Sequence, residues 1–289
     1  MQSEPRNIGS VIADLAKINP DAPCVEQDGT CYTRADFVAS AQSLAVFFKE
    51  QGVGVGASVA IVAVDRVKGF QAAIALWSLE AAVLFLDPRQ PIEELTASQE
   101  KAGVVAIFTD SKSFARRGGF GLLPAVGSLL NSDPELHFPV GSFDSDALIL
   151  SSSGTTGMPR FRRVSHRVFM DGLFASGELL DARIPFPAVT VGSLAFGAVL
   201  SHWIKLMIHG KFNLSLPLIF KMKELHQALN RTDIQSVGLP PVIIRDLLKF
   251  HSENISINDG PAYPHLKHMT SVGGPISSEN LVQAYQVLT

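Results

Sequence analysis

The sequence predicts an α/β fold: two stacked, mostly parallel sheets with helices between and outside them. Short, β-branched apolar runs alternate with helical segments of roughly 10–15 residues, the order expected of βαβ units. The strand-like runs, residues 58–64 (SVAIVAV) foremost, are apolar at nearly every position, as strands covered on both faces are. The alternation is broken once, over residues 116–146, by a stretch rich in Gly, Pro, Ser and Asp. That break predicts a joint between two such sheets.

The elements follow in order. Residues 33–51 read as a helix with Phe37, Ala41, Leu44, Ala45 and Phe48 on one face. Thr33 and Asp36 form a capping box at its start, and Gly52 ends it. Strand 58–64 is followed by helix 69–81, strand 82–86, a turn at Asp87-Pro88, helix 93–102 and strand 104–109. After the joint come strand 147–150, a loop over 151–160 and helix 165–180. Four further strand–helix pairs are predicted: 188–194 with 198–208, 212–216 with 221–230, 234–237 with 241–251, and 268–272 with 277–288. Ligands of such folds sit beyond the carboxyl ends of the strands, which directs attention to the loop after Leu150 and to Gly273-Gly274.

Composition narrows the function. With 46% of its 289 residues hydrophobic, the chain can bury one or two cores without staples. The formal net charge is −3 and no Lys/Arg stripe is present, so a nucleic-acid polymer is not an expected partner. The densest basic cluster, Arg160, Arg162, Arg163, His166 and Arg167, lies beside a glycine loop and suits a small polyanion. The alternative is a solvated turn, with His166 an exposed first-turn residue rather than a base. Cys24 and Cys31 make no disulfide framework or metal motif, which predicts a reducing, cytoplasmic location. Residues 1–10 hold no apolar run and read as no signal peptide. Residues 184–204 carry no charge, but Pro185, Pro187, Gly192 and Gly197 cut them into strand, turn and helix, so no membrane span is expected.

The chemistry concentrates in ALILSSSGTTGMPRFRRVSHR, residues 147–167. A buried strand runs into hydroxyls and glycines with no bulky side chain between them. Glycine lets backbone N–H groups approach phosphate oxygens and hydroxyls donate to them, while an arginine can add a bidentate contact. The loop is not a Walker A loop, because no Gly-Lys-Ser/Thr stands at the required spacing. A kinase-type NTPase thereby loses its defining lysine.

Ile149 with Ser152-Ser153-Gly154-Thr155-Thr156-Gly157-Met158-Pro159-Arg160 resembles the AMP-binding signature of adenylate-forming enzymes. That family comprises acyl-CoA synthetases, peptide-synthetase adenylation domains and luciferases. Further resemblances follow in the family's order: Asp21-Ala22-Pro23 and residues 31–37 to its opening hairpin and first helix, residues 52–60 to its glycine–valine step, and Leu86-Asp87-Pro88 with Pro91 to its Pro turn. Residues 237–241 resemble the strand and turn before a substrate-pocket helix, and Ser271-Val272-Gly273-Gly274-Pro275 the segment that lies against adenine and the acyl group. The resemblance runs from about residue 20 to the last residue.

It implies ATP-dependent activation of a small carboxylic acid as its acyl-adenylate, followed by transfer to CoA or to the phosphopantetheine thiol of an acyl-carrier protein. The implied nucleotide-binding residues are Ser152, Ser153, Gly154, Thr155, Thr156, Gly157, Arg160, Gly273, Gly274 and Pro275, with Arg160 also catalytic. The implied substrate pocket holds Phe196, Gly197 and Gly238. Three departures stand out. Phe196 is followed by Gly197, not by the Asp that pairs an amino acid's ammonium group, which argues against amino-acid substrates. Arg160 replaces the commoner lysine. The chain ends at Thr289, before the family's Tyr-Gly-x-Thr-Glu loop, whose Glu holds Mg2+, and before its small C-terminal domain. The sequence is therefore read as an incomplete N-terminal AMP-binding domain, and a truncated nucleotide- or acid-binding module without turnover is the alternative.

Overall fold

The structure, a computed structural model, describes residues 7–125, 142–152, 160–179, 186–254 and 262–288. Among these residues it has two six-stranded sheets and ten helices. The chain divides into two compact units, one of residues 1–23, 32–183 and 193–197, the other of residues 24–31, 184–192 and 198–289. The stretch predicted as a joint, residues 116–146, falls within the first unit, and its residues 126–141 lie outside the described residues.

The sheet of the first unit is built around β3 (Ser58–Val62), buried at all five positions as its unbroken apolar run predicts. It pairs in parallel with β4 (Ala82–Phe85) and with β5 (Ala106–Thr109). β4 pairs in parallel with β7 (Asp146–Ser152), and the short β6 (Gly121–Leu122) extends the sheet beyond β5. The far edge departs from the predicted strand–loop–helix order. After β7 the chain forms another strand, β8 (Arg160–Ser165), antiparallel to β7. Its Val164 is buried while Arg160, Arg162 and Arg163 are exposed, and a charged outward row suits an edge that should recruit no further strand.

Helices of this unit follow the sequence closely. α2 (Arg34–Glu50) starts on the predicted box: Thr33 Oγ1 accepts from the Asp36 N–H at 3.1 Å, and Asp36 Oδ2 accepts from the Thr33 N–H at 3.3 Å. Gly52, at φ 80°, takes the left-handed position after its end. α3 (Arg66–Ser78) is buried almost all round, and its Trp77 Nε1 donates to the Ala147 carbonyl at 2.8 Å, tying α3 to β7. α4 (Ile92–Ala102) covers a core of Ala60, Val62, Leu84, Leu95, Ile107 and Ile149. α6 (His166–Leu179) follows β8. Two helices add to the predicted set. α1 (Ile8–Ile18) is capped by Asn7, whose Oδ1 accepts from the Ser10 N–H at 2.8 Å. α5 (Lys112–Gly118) buries no residue and carries no amphipathic signal.

The sheet of the second unit runs β12 (His268–Ser271), β11 (Ser236–Leu239), β9 (Ala188–Thr190), β10 (Asn213–Ser215), β1 (Pro23–Gln27), β2 (Thr30–Thr33). From β12 to β1 each neighbouring pair is parallel. β1 and β2 are joined by Asp28-Gly29, at φ 51° and 76°, the pair of positive φ values a tight hairpin turn needs. One face of this sheet, with Val189, Leu214, Val237 and Leu239, packs with α8 (Met222–Leu229), α9 (Pro241–Asn254) and α10 (Ser278–Leu288) in one core. α7 (Gly197–Ile208) buries Leu200, Trp203, Ile204, Leu206, Met207 and Ile208.

Candidate functional site

Both units gather their chemistry at the carboxyl ends of parallel strands. In the first, Ser152 stands opposite Arg160, and Ser151 opposite Phe161, across the β7–β8 ladder. The predicted loop over 151–160 thus has strand at both its ends, with Arg160 an exposed residue at the start of β8. Ser153, Gly154, Thr155, Thr156 and Gly157 lie outside the described residues, as does the side chain of Ser152.

The basic cluster read from the sequence is divided in the fold. Arg163 Nη1 donates to Ser58 Oγ at 2.8 Å and pairs with Asp146 at 3.2 Å. Arg167 pairs with Asp144 at 2.6 Å, and its guanidinium lies over Phe143. His166, expected exposed, is fully buried. Its ring meets Trp77 edge-on at 5.8 Å, and Nδ1 accepts from the Ile8 N–H at 3.2 Å. Burial lowers its pKa from 6.5 to about 4, so it is a neutral packing residue at the head of α6. Sequence could not show this, because Trp77 and Ile8 reach His166 only through the tertiary fold.

A cleft of about 610 Å3 opens beside Ser151 and Phe161, lined also by Phe85, Leu86, Asp87 and Gln90 at the end of β4 and by Phe196 and Gly197. Two of the three expected pocket residues therefore share one cleft with the end of β7. Asp87 and Arg89, read from sequence only as part of a turn, form a forked pair with contacts of 2.7 and 3.0 Å. The Arg89 guanidinium sits 5.6 Å from the centroid of Phe196, which is 51% exposed. The hydrogen bonds to Asp87 raise the Arg89 pKa, so this cation is permanent at the rim. Asp110, just after β5, accepts from the Val64 and Asp65 N–H groups at 3.0 and 2.6 Å. Its burial raises its pKa, but both oxygens are spent on holding the end of β3.

In the second unit Gly238 lies on β11 and lines a separate cavity of about 110 Å3 bounded by β9, β11, β12 and α7. The register places Thr190, Gly238 and Thr270 on one face of the sheet, opposite the core face. A Cβ on Gly238 would meet only Val272, at 3.8 and 4.0 Å, so the missing side chain keeps the cavity open. His202 of α7 completes the wall. Burial, chiefly, and the nearby Lys205 and His268 lower its pKa from 6.5 to about 4. Nothing in the sequence singles out His202; an isolated His in an apolar helix has no local mark of function. Gly273, at φ 82°, and Gly274 and Pro275 follow β12. The left-handed backbone explains the glycine, and Gly274 faces Pro241 at the start of α9.

A sequence model of the AMP-binding enzyme family matches residues 12–289. The chain belongs to that family. Among curated AMP-binding relatives it is 25% identical to a linear gramicidin synthase of Brevibacillus parabrevis over 196 residues, 66% of this chain and 4% of that protein. To tyrocidine synthase 3 of the same organism it is 24% identical over 245 residues, 83% of this chain and 4% of that protein. The chain thus spans a small fraction of these relatives. Among solved structures, the N-terminal domain of FACL13 from Mycobacterium tuberculosis superposes with a TM-score of 0.81 at 16% identity, covering 97% of this chain and 73% of that one. The N-terminal subdomain of Klebsiella oxytoca NpsA, in complex with 3-hydroxyanthranilyl-AMSN, gives 0.77 at 18%, covering 96% and 69%. The o-succinylbenzoate CoA synthetase of Bacillus subtilis, in complex with AMP, gives 0.78 at 18%, covering 95% and 70%. These likenesses establish the fold as that of the N-terminal part of adenylate-forming enzymes. No helix among the described residues is long and apolar enough to cross a membrane.

Proposed function

We propose that this chain binds ATP and a small carboxylic acid and joins them as an acyl-adenylate, for transfer to CoA or to a carrier-protein thiol. The observation that carries the reading is the family match over residues 12–289, with the hydroxyl- and glycine-rich segment set between Ser152 and Arg160. A carboxylate oxygen attacks the α-phosphorus, the bond to the bridging oxygen breaks, and pyrophosphate leaves with its electron pair. The protein's part is to hold the reactants in line and to neutralise charge on the departing group. Ser152, Ser153, Thr155, Thr156 and Arg160 contact the outer phosphates, with Gly154 and Gly157 permitting close backbone approach; Gly273, Gly274 and Pro275 flank adenine. Phe196, Gly197 and Gly238 shape the acid's surroundings. Among the described residues no group of three or more His, Cys, Asp or Glu could hold a metal ion, so the reading assigns Mg2+ no ligand in this chain.

The neighbours whose structures hold AMP or acyl-adenylate analogues support the nucleotide half of this reading. Gly197, in place of an ammonium-pairing Asp, favours acids without an α-amino group. The test is acid-dependent pyrophosphate release, with hydroxylamine trapping the activated acyl group, over a panel of aryl, aliphatic and α-amino acids. Turnover with aryl or aliphatic acids and little with amino acids is the expected result. A clear preference for an α-amino acid would refute the role given to Gly197, and nucleotide binding with no acid-dependent release would reduce the chain to a binding module.

A further inference from the structure

We propose that the acid seated in the cavity of the second unit is no larger than a single ring and carries one neutral hydroxyl, which hydrogen-bonds Nε2 of His202. This rests on the acid-activating reading above and narrows its substrate.

Size comes first. The cavity measures about 110 Å3. An apolar cavity of roughly 150 Å3 takes one benzene molecule, so this space suits one ring and excludes a long acyl chain. Val189, Val191, Val199, Val237 and Val272 supply apolar walls, as a ring requires.

The polar inventory then fixes the substituent. Thr190 donates to Asn213 Oδ1 at 2.8 Å, and Ser236 to the Phe186 carbonyl at 3.4 Å. Thr270 and His268 engage each other at 2.8 Å. His202 Nε2 differs: it is buried, with no partner among the described residues. A buried ring nitrogen left unpaired is costly, and a ligand atom that completes it gains specificity in proportion. Which ring nitrogen carries the proton is open, and a hydroxyl, both donor and acceptor, satisfies either tautomer. A charged substituent does not fit. No Asp or Glu lines the cavity to pair an ammonium group, and no Lys or Arg lines it to pair a second carboxylate.

The experiment is isothermal titration of the protein with benzoate, its ortho-, meta- and para-hydroxy isomers, octanoate and, separately, AMP. At least one hydroxybenzoate should bind about 2- to 12-fold more tightly than benzoate, the worth of one neutral hydrogen bond. That advantage should vanish in His202→Leu and in His202→Phe, with benzoate itself little changed. Should both His202 variants fail to fold, Gly238→Val, which adds carbon atoms to the open side of the cavity, must weaken every aryl acid. Equal binding of benzoate and all hydroxybenzoates, a preference that survives loss of His202, or octanoate as the tightest ligand would overturn the inference. With AMP binding intact, any of those results leaves the acid-activating reading standing; loss of AMP and all acids together would remove both.

Discussion

Arg160 carries the heaviest single-residue claim. Exposed on an edge strand opposite Ser152, it contributes little to packing, so its substitution should leave stability nearly unchanged. Its proposed work is a charge-assisted contact to the outer phosphates, worth about 1.5–3 kcal/mol, or roughly 10- to 150-fold. Arg160→Ala should weaken ATP binding by that factor and leave AMP, which lacks those phosphates, nearly as before. Arg160→Lys should restore most of the loss. Parallel titrations with ATP and AMP check this; equal responses of the two nucleotides would show that Arg160 contacts no outer phosphate. At this scale the sequence speaks unevenly. Motif residues announce themselves because chemistry requires those types in that order. His166 and His202 do not, since their meaning lies in Trp77, Ile8 and the cavity walls, all remote in sequence or in a different register.

At the scale of elements, tight helix–strand packing explains glycines that no turn requires. A Cβ on Gly69 of α3 would lie 2.6 Å from the Ala63 Cβ, just beyond β3, where neither backbone can yield cheaply. Alanine is the better helix former by about 1 kcal/mol, while overpacking costs about 1–3 kcal/mol. The clash should win, and Gly69→Ala should lower the thermal midpoint; a raised midpoint would show that α3 has more room than this geometry gives it. The long elements are legible in the sequence because burial on both faces leaves an unbroken apolar run and burial on one face a helical period, as in β3 and α2. β8 is not legible, because an edge strand with outward arginines carries a solvated turn's composition. α5 is hidden because seven residues with none buried leave no period to read. The hydroxyl- and glycine-rich segment reads as a loop running into a helix, since the pairing of Arg160–Ser165 with β7 depends on a partner strand, not on local propensity.

For the molecule as a whole, buried neutral histidines set a response to acid. His166 and His202 have pKa values lowered to about 4 by burial, against 6.5 when exposed. In that window the unfolded chain takes up protons that the folded chain refuses. Stability is therefore complete above about pH 6.5 and falls as pH drops toward about 4. The His166 shift alone corresponds to a loss of order 3 kcal/mol once pH is below the folded value. Denaturant melts at about pH 7.5 and about pH 5 should show the decline, and His166→Gln should reduce it. A midpoint independent of pH across that range would mean that these rings are solvated.

The central claim, that this chain offers one ligand both an acid-binding and an AMP-binding surface, is tested most directly by titration with a non-hydrolysable acyl-adenylate analogue beside AMP. Joining two fragments that each bind should strengthen the analogue by about 100-fold or more over AMP alone. The account predicts that gain. An analogue that binds no more tightly than AMP, or a chain that binds neither, would contradict it.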